Sequence, residues 1–425
     1  MILIDNKLGL YLDFKTYTKN EKSLYDFSSD ETNEIDTFIE KGTFIVRKDK
    51  SFIRVDMQSN IQKTMGEELL FKVRIKNNNI FMLENPVPNK NIPLTIDNID
   101  NINNKIWLVL NSNNPKLGNE NEDYYLCEND VIRMGNIKFI VKELHIEGKK
   151  EEKEKKDDNI KLKEPKKDNQ KDENYDINKL NENSGPIFNF FPQINKYFIS
   201  QDEPSKENIY CNICKDCKCD KDNPLVTFCN CNYMHFSCLK DKIKNNIINY
   251  SEKDKNIVDT YYIKRYKCET CRFVYPLRFK IEQIEKIYEL FDINKPDEGR
   301  YMLIESIEDK VHYGFLKLIY LIKLNEDIIN IGRKMNENND IVIRDPSISR
   351  IHAEIKYDKE KGKILIKNKS NKYGTSILIK NPLVIKNKKI LLQNGRTLIE
   401  AKLMKVNEFE KNINKNTKRH LPKKD

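Results

Sequence analysis

The chain has 425 residues, of which 38% are hydrophobic and 33% are charged, so it carries more charge and less apolar material than an ordinary globular protein. Its length predicts two or three domains. The 76 basic and 66 acidic residues give a net charge of +10, which is mild for this length, and nucleic acid is not an expected partner. No Walker loop, Gly-x-Gly-x-x-Gly turn, or serine-hydrolase, kinase or zinc-protease signature is present, which excludes the familiar nucleotide-binding and catalytic classes.

The N-terminus and the most apolar run both indicate a soluble protein. After Met1, three apolar residues lead directly to the acidic Asp5, unlike a secretory signal peptide. Residues 311–324 are interrupted by Lys317 and Lys323 and are too short to span a membrane. We expect the protein in the cytoplasm, the nucleus or both, with no membrane partner.

The N-terminal segment, residues 1–146, predicts a β-rich domain. Apolar runs at residues 43–47, 70–75, 106–110 and 137–141 are rich in Ile, Val, Leu and Phe. Polar turns separate these runs, a pattern typical of short strands.

A charged segment then separates this domain from the rest of the chain. Residues 149–172 hold ten basic and eight acidic residues and no apolar stripe, so we expect a disordered linker over residues 147–199. A turn-rich break at residues 294–299 predicts a connector over residues 281–300. The basic tail, residues 409–425, is also expected to be disordered.

Cysteine is concentrated in the central segment, residues 200–280. Nine of the ten cysteines lie between Cys211 and Cys271, and only Cys127 lies outside. Such a cluster, in a chain without a signal peptide, indicates metal rather than disulfides. The candidate ligands occur in the order Cys211, Cys214, Cys217, Cys219, Cys229, Cys231, His235, Cys238, Cys268 and Cys271. Closely spaced pairs each supply half of a tetrahedral zinc site.

Without Cys217 and Cys219, this order of four cysteines, one histidine and three cysteines resembles the cross-braced RING family. Histidine in the fifth place resembles its RING-CH, or RING-variant, branch. The resemblance implies a small α+β module with two structural zinc ions. One ion would be held by Cys211, Cys214, His235 and Cys238, and the other by Cys229, Cys231, Cys268 and Cys271.

The RING resemblance also implies a ubiquitin-conjugating enzyme as a partner. Ile213, inside the first pair of cysteines, would contact that enzyme. Arg272, directly after the last ligand, would provide the cation that faces ubiquitin. The module itself would supply no nucleophile.

The central segment departs from the RING-CH pattern in two places. The loop between Cys231 and His235 is shorter than usual, and the Trp that commonly follows the sixth ligand is absent. Cys217 or Cys219 therefore stays open as a substitute ligand. A PHD-type histone reader shares the ligand order and prefers an aromatic residue where Tyr266 stands, so it is a further alternative.

The C-terminal segment, residues 301–408, predicts a β-sandwich, because short Ile-rich strands alternate with polar turns. Gly332-Arg333, residues 347–355 and residues 372–375 closely resemble the forkhead-associated (FHA) domain. The resemblance implies a sandwich whose loops bind phosphothreonine-containing proteins. His352 is expected to tie two of these loops together through buried hydrogen bonds.

Guanidinium and hydroxyl groups are suited to holding a phosphate dianion. The FHA resemblance implies that Arg333 and Ser349 hold the phosphate and that Arg350 and Lys372 assist. Tyr373 stands where the family usually has an Asn that contacts the peptide backbone. This change bears on affinity and sequence preference more than on phosphate binding.

A weaker echo of the same family occurs in the N-terminal segment. Residues 125–141 resemble the last hairpin of an FHA sandwich, whereas residues 1–120 lack the Gly-Arg and Ser-x-x-His pair. The N-terminal domain is therefore expected to be a degenerate FHA-like sandwich.

The predicted fold class is mainly β and multidomain: an N-terminal β-rich domain, a cross-braced two-zinc module and a C-terminal FHA β-sandwich. The predicted function is a phosphothreonine-dependent RING-type ubiquitin ligase. The alternative is a non-enzymatic phosphopeptide-binding scaffold with a structural zinc module, followed by the PHD-like reader.

Overall fold

A computed structural model describes most of the chain outside the charged linker and several loops. The described residues are 7–17, 32–48, 51–56, 67–76, 80–85, 105–110, 124–146, 193–194, 197–199, 209–229, 231–245, 247–251, 257–264, 267–273, 275–281, 284, 286–307, 315–324, 328–333, 339–386 and 389–411. The structure is 54% strand and 6% helix, which confirms the mainly β fold class. Most of the predicted linker and of the basic tail lies outside the described residues.

The described residues of the N-terminal segment form ten strands. They are β1 (Leu8–Tyr17), β2 (Thr32–Ile39), β3 (Thr43–Lys48), β4 (Ser51–Asp56), β5 (Glu67–Lys76), β6 (Ile80–Glu84), β7 (Trp107–Val109), β8 (Tyr124–Tyr125), β9 (Val131–Met134) and β10 (Ile137–His145). Alternation sets the buried face: Leu10, Leu12 and Phe14 of β1 are fully buried, as expected for a strand with one side in the core.

Between residues 193 and 289, the described residues form short strands and one helix, so these elements extend beyond the predicted central segment on both sides. They are β11 (Gln193–Ile194), β12 (Tyr197–Phe198), β13 (Leu225–Val226), β14 (Met234–His235), α1 (Phe236–Lys244), β15 (Ile247–Ser251), β16 (Val258–Lys264), β17 (Arg278–Ile281) and β18 (Ile287–Glu289). Leu239 and Ile243 are the buried residues of α1. Their spacing of four places them on one face of the helix, packed on the cysteine-rich core.

Ten strands form in the part of the C-terminal segment that the structure describes. They are β19 (Tyr301–Ser306), β20 (Phe315–Lys323), β21 (Ile328–Gly332), β22 (Ile341–Val342), β23 (Ala353–Asp358), β24 (Lys363–Asn368), β25 (Thr375–Leu378), β26 (Leu383–Ile385), β27 (Ile390–Asn394) and β28 (Thr397–Lys405). A helical segment, residues 406–411, follows, and its Phe409 stacks on Phe38 with ring centroids 4.6 Å apart.

These strands build two sandwiches on one continuous sheet. The twelve-stranded sheet runs β15-β16-β20-β19-β10-β9-β25-β7-β27-β28-β1-β2. One half is covered by the five-stranded sheet β22-β21-β23-β24-β8, and the other by β26-β6-β5-β3-β4. Apart from β15 and β16, which extend one end, the strand order is the same on either side of the β25–β7 junction, so the two sandwiches correspond strand for strand.

Each sandwich takes three strands from the opposite segment. The last three strands of the N-terminal segment, β8 to β10, pair with β24, β25 and β19. The last three strands of the C-terminal segment, β26 to β28, pair with β6, β7 and β1. The boundaries predicted at residues 146 and 301 therefore describe chain segments, and each sandwich is assembled from two of them.

The hydrophobic core of each sandwich contains side chains from both segments, because the exchanged hairpins are buried in it. Ile132 and Phe139 of the β9–β10 hairpin are buried in one cluster with Ile304 and Ile331 of the C-terminal segment. Leu392 and Ile399 of the β27–β28 hairpin lie instead in the cluster that contains Leu10 and Phe14. Because burial of such side chains stabilises by roughly 1.5–3 kcal/mol each, neither sandwich has a complete core without its exchanged hairpin.

The cysteine-rich module is fastened to the sandwich that contains the FHA motifs. Its β15–β16 hairpin adds to the sheet through pairing of β16 with β20. Tyr261 and Leu277 of the module share a buried cluster with Leu303 and Ile319 of the sandwich. Within the described residues, no helix is long and apolar enough to cross a membrane.

Candidate functional site

The structure brings the predicted metal ligands together in two groups. Among the described His, Cys, Asp and Glu side chains, the ligand atoms within each group lie within 4.8 Å of one another. The first group is Cys211, Cys214, His235 and Cys238, and the second is Cys229, Cys231, Cys268 and Cys271. These are the pairings that the RING resemblance implies, and the cross-brace arises because each group joins ligands distant in sequence.

His235 presents its Nδ1 to the first group. This nitrogen lies 3.2 Å from the Cys214 Sγ and 3.9 Å from the Cys238 Sγ. The Cys211 Sγ accepts hydrogen bonds from the backbone N–H groups of Ile213 and His235, both at 3.4 Å. Despite burial, these backbone bonds and one from Cys214 lower the pKa of the Cys211 thiol, which favours a ligating thiolate.

Two knuckles with matching backbone geometry carry ligands in the two groups. Lys215 and Arg272, each the residue after the second cysteine, have a positive φ of 64°. Their N–H groups donate to the carbonyl oxygens of Cys211 and Cys268 at 2.9 and 3.0 Å. The repeated turn lets two cysteines three residues apart present sulfur to a shared point.

The donor chemistry of both groups fits zinc. Sulfur and imidazole nitrogen at four converging positions are the ligands of closed structural zinc sites. A backbone N–H bond from Cys271 is the main cause that lowers the pKa of the Cys268 thiol to about 6. Hydrogen bonding with Cys271, followed by desolvation, raises the pKa of the Cys231 thiol to about 12. Four crowded sulfurs therefore need a cation to ionise together.

The other predicted residues of the central segment lie outside the two ligand groups. Cys217 is exposed and Cys219 half-buried, and neither belongs to a described four-ligand group. Ile213 is 37% exposed, as a contact residue must be. Tyr266, on which the histone-reader alternative rests, lies outside the described residues.

The predicted phosphate ligands Arg333 and Ser349 lie on adjoining loops. The Arg333 N–H donates to the Ser349 carbonyl oxygen at 3.0 Å, and one Arg333 guanidinium nitrogen lies 3.5 Å from the Pro346 carbonyl oxygen. Gly332 is required beside them, because a Cβ there would overlap the Arg350 carbonyl oxygen and the Asn339 side chain. This close approach brings the Arg333 and Ser349 loops together.

His352 connects two loops, as expected. Its Nδ1 accepts from the Ser349 N–H at 3.0 Å, and its Nε2 lies 3.0 Å from the Gly374 carbonyl oxygen. Burial lowers the pKa of this imidazole to about 4. The ring is therefore neutral at ordinary pH, with its proton on Nε2 donated to Gly374.

Two residues that sequence reasoning missed complete this loop arrangement. The Ser370 Oγ lies 2.8 Å from the Ser349 Oγ and 3.4 Å from the N–H groups of Lys372 and Gly374. Asn368 in turn holds the Ser370 backbone, accepting from its N–H at 3.0 Å and donating to its carbonyl at 3.1 Å. Both residues are buried, and only their tertiary placement reveals the role.

The remaining predicted residues lie at the rim. Arg350 and Lys372 are exposed and Tyr373 is half-buried. The Lys372 ammonium lies 5.1 Å from the centroid of the Tyr373 ring, so the two form a cation–π pair. The rim therefore combines positive charge with an aromatic surface.

Comparison with known proteins agrees with this geometry. Residues 329–399 match the family model described as FHA domain; no curated protein and no solved structure matches the chain. The chain contains an FHA domain, a class of module that generally binds phosphothreonine-containing proteins, which supports phosphopeptide binding. The match excludes the cysteine-rich segment. It also ends within β28, which packs in the other sandwich.

Proposed function

We propose that the protein is a RING-type ubiquitin ligase that acts on threonine-phosphorylated proteins. Its FHA domain binds the phosphorylated client through Arg333, Ser349 and Arg350. The cysteine-rich module, holding two zinc ions, engages a ubiquitin-conjugating enzyme. Zinc is structural here, because eight protein ligands leave no open coordination position. A client lysine then attacks the thioester that the conjugating enzyme carries.

The connection between the two modules is the observation that carries this proposal. The β15–β16 hairpin lies between the ligands Cys238 and Cys268, and β16 is hydrogen-bonded to β20 of the sandwich from residue 258 to residue 264. A client and a conjugating enzyme held on one continuous sheet have a restricted mutual geometry. Such restriction favours transfer between them, because orientation is established before the reaction.

Exposed apolar side chains on the knuckles support a partner surface. Ile213 in the first knuckle is 37% exposed and Phe273, directly after Arg272, is 43% exposed. Phe273 contacts the core of the module at the Tyr275 ring, with ring centroids 6.3 Å apart, and leaves much of its own ring exposed. Exposed apolar side chains on the two knuckles are suited to protein recognition, since binding energy concentrates in a few such residues.

The decisive experiment measures the release of ubiquitin from a panel of conjugating enzymes that carry it as a thioester, in the presence of the zinc-loaded full chain. We expect acceleration that Ile213→Ala abolishes. Ile248→Ala is the matched control, because Ile248 is also exposed, at 43%, but lies on β15 outside the knuckles. Arg272→Gly is the sharpest variant: its positive φ suits glycine, so the knuckle stays folded while the cation is lost.

Dependence on phosphorylation is tested separately. Arg333→Ala should abolish binding of phosphothreonine peptides and leave discharge to free lysine unchanged. Unchanged peptide affinity would contradict the role of Arg333. Discharge lost together with peptide binding would indicate a folding defect rather than a lost ligand.

A non-enzymatic scaffold is the second candidate, favoured by the way the module is built into the sandwich. Its hairpin extends the sheet and Arg278 reaches Glu305 in β19, so stabilisation alone is a sufficient role for the metal. If a chain that holds two zinc ions accelerates ubiquitin discharge from none of the enzymes, this function is favoured. Binding to histone-tail peptides would favour the PHD-like reader.

The N-terminal sandwich enters the proposal as a degenerate FHA-like domain. Its strand order matches that of the sandwich with the FHA motifs. The Gly-Arg and Ser-x-x-His pair is absent from residues 1–120, so phosphate binding is assigned to the other sandwich alone.

A further inference from the structure

The turn between β9 and β10 reaches the loops of the FHA site. The Asn136 N–H donates to the Ser347 Oγ at 2.8 Å. The Gly135 N–H donates to the Gly374 carbonyl oxygen at 3.5 Å. Gly374 is the residue whose carbonyl His352 also binds. One turn of the N-terminal segment thus contacts both loops that carry the proposed phosphate ligands.

Ser347 transmits this contact along its loop. Its Oγ donates to the Asp345 Oδ1 at 2.5 Å, and its N–H donates to the same oxygen at 2.8 Å. The Ile348 N–H binds the Asp345 carbonyl at 3.0 Å. Ser347 is 3% exposed, so its hydroxyl is shared between Asp345 and Asn136 without competition from water. Ser349 follows two residues later on this fixed backbone.

The approach of the turn leaves no room for a side chain at Gly135. A Cβ there would lie 2.6 Å from the Ser347 carbonyl oxygen and 2.8 Å from its Cβ, closer than such atoms approach in proteins. Gly135 also has a φ of +55°, which favours glycine. The site therefore depends on glycine here for its conformation and for contact with Ser347.

Arg133 anchors the same hairpin at the junction of the two sandwiches. Its guanidinium donates to the Ser376 Oγ at 3.0 Å and to the Gln393 Oε1 at 2.6 Å. It also lies 4.5 Å from the centroid of the Trp107 ring. Since Trp107 and Gln393 belong to the strands β7 and β27 beside the N-terminal sandwich, the hairpin is held from that side as well.

We propose that the Gly135–Asn136 turn is a positioning element of the phosphothreonine site, so that the N-terminal segment completes the binding site of the C-terminal one. The inference rests on the proposed phosphothreonine binding. The turn touches no ligand itself; it holds residues 345–349 and Gly374 in place. Removing its contact should weaken phosphopeptide binding more than it changes the fold.

The chain offers a matched control at the corresponding turn of the other exchanged hairpin. Gly395, between β27 and β28, has the same φ of +55°, and a Cβ there meets nothing within 4 Å. Gly135→Ala and Gly395→Ala therefore introduce the same backbone strain. Only Gly135→Ala displaces Ser347.

The test uses the zinc-loaded full chain and a fluorescein-labelled peptide library with one fixed phosphothreonine. We expect Gly135→Ala to weaken binding by about tenfold or more and Gly395→Ala by less than about twofold. Gly395→Ala should lose thermal stability through backbone strain alone, and Gly135→Ala should lose more because of the added overlap with Ser347, yet stay folded at the temperature of the binding assay. Hydrogen exchange of residues 345–349, measured without peptide, should increase in Gly135→Ala alone.

Unchanged affinity of Gly135→Ala, or equal losses in both variants, would overturn the proposal. The same library with unphosphorylated threonine separates this failure from failure of the proposed function. If the parent chain shows no phosphate-dependent binding, the proposed function fails. In that case hydrogen exchange still tests whether the turn positions residues 345–349. Unchanged exchange of these residues in Gly135→Ala would refute that role.

Discussion

Arg278 of the cysteine-rich module and Glu305 of the FHA-containing sandwich form a buried ion pair. Their side chains are 5% and 9% exposed. Arg278 also binds Glu289 at 3.0 Å, but that carboxylate is 50% exposed. Lys317 lies 3.7 Å from Glu305 as well. Glu305 is therefore the buried carboxylate at this junction. Its loss would deprive the buried cations Arg278 and Lys317 of this partner.

Replacing Glu305 should therefore destabilise the chain. Removing one partner of a buried ion pair typically costs about 3–5 kcal/mol, because the remaining charge stays buried. We expect Glu305→Gln to lower the free energy of unfolding by about 3 kcal/mol, measured by denaturant titration in excess zinc. Glu289→Gln is the matched control, with an expected loss below about 1 kcal/mol. Equal losses of stability in the two variants would show that the buried pair of Arg278 and Glu305 does not stabilise the junction.

The same carboxylate predicts a pH dependence. Burial raises its pKa, but Arg278, Lys317 and Lys142 outweigh this and lower it from 4.5 to about 2. A carboxyl group with a lowered native pKa stabilises above its unfolded pKa, and this contribution is lost as the pH falls through the native value. The stability difference between the parent and Glu305→Gln should therefore narrow between about pH 4.5 and pH 2. A constant difference would contradict the assignment.

The chemistry of the sites was accessible from the sequence because it depends on local spacing. The order of Cys211, Cys214, His235 and Cys238 resembles that of the RING family, and this resemblance implied the pairing of ligands that the structure brings within 4.8 Å. Likewise, Gly332-Arg333 and the run containing Ser349 and His352 predicted an FHA domain that the family match supports.

The assembly of the sandwiches was not accessible in this way. Residues 125–141 have the apolar alternation of a last hairpin, and that alternation fits either sandwich equally well. The choice between them depends on contacts such as the Asn136 N–H bond to Ser347 and the packing of Ile132 in the core around Ile304. These join residues more than 150 positions apart, which periodicity cannot report.

His352 should remain neutral to unusually low pH. Its Nδ1 accepts from Ser349 and its Nε2–H donates to Gly374, and burial lowers its pKa to about 4. A histidine with a lowered native pKa stabilises the fold above its unfolded pKa of 6.5, and stability is lost as the pH falls toward 4. The NMR resonance of its ring, assigned with His352→Asn, should titrate near pH 4. Titration near 6.5 would disprove the buried bridge.

Lys215 predicts a gain of stability. A non-glycine residue at its φ of 64° is strained by about 1–2 kcal/mol. Glycine relieves this strain, but it also increases the conformational entropy of the unfolded chain, which cancels part of the gain in stability. We expect Lys215→Gly to raise the free energy of unfolding of the zinc-loaded chain by about 0.5–1 kcal/mol. Lys218→Gly, at an exposed position without a positive φ, should not. A loss in Lys215→Gly would show that the lysine side chain itself stabilises the knuckle.

The reciprocal exchange of hairpins predicts which pieces of the chain fold. Residues 301–408 contain every FHA motif, yet in isolation β19 lacks β10, and β25 lacks both β9 and β7. The open edges and the core around Ile304 would be exposed to water. We expect this fragment to aggregate or to lack a cooperative thermal transition by circular dichroism.

Restoring the missing hairpin should restore the fold. A chimera that joins residues 301–380 to residues 124–146 through a flexible Gly-Ser linker supplies β8, β9 and β10 to β24, β25 and β19. It omits β26, β27 and β28, which pair with β6, β7 and β1 in the other sandwich. We expect the chimera to melt cooperatively and to bind phosphothreonine peptides, although it lacks residues 381–399 of the family match. Cooperative folding and peptide binding by residues 301–408 alone would show instead that β27 and β28 can complete their own segment. The exchange would then be one of two accessible arrangements rather than a requirement of the sequence.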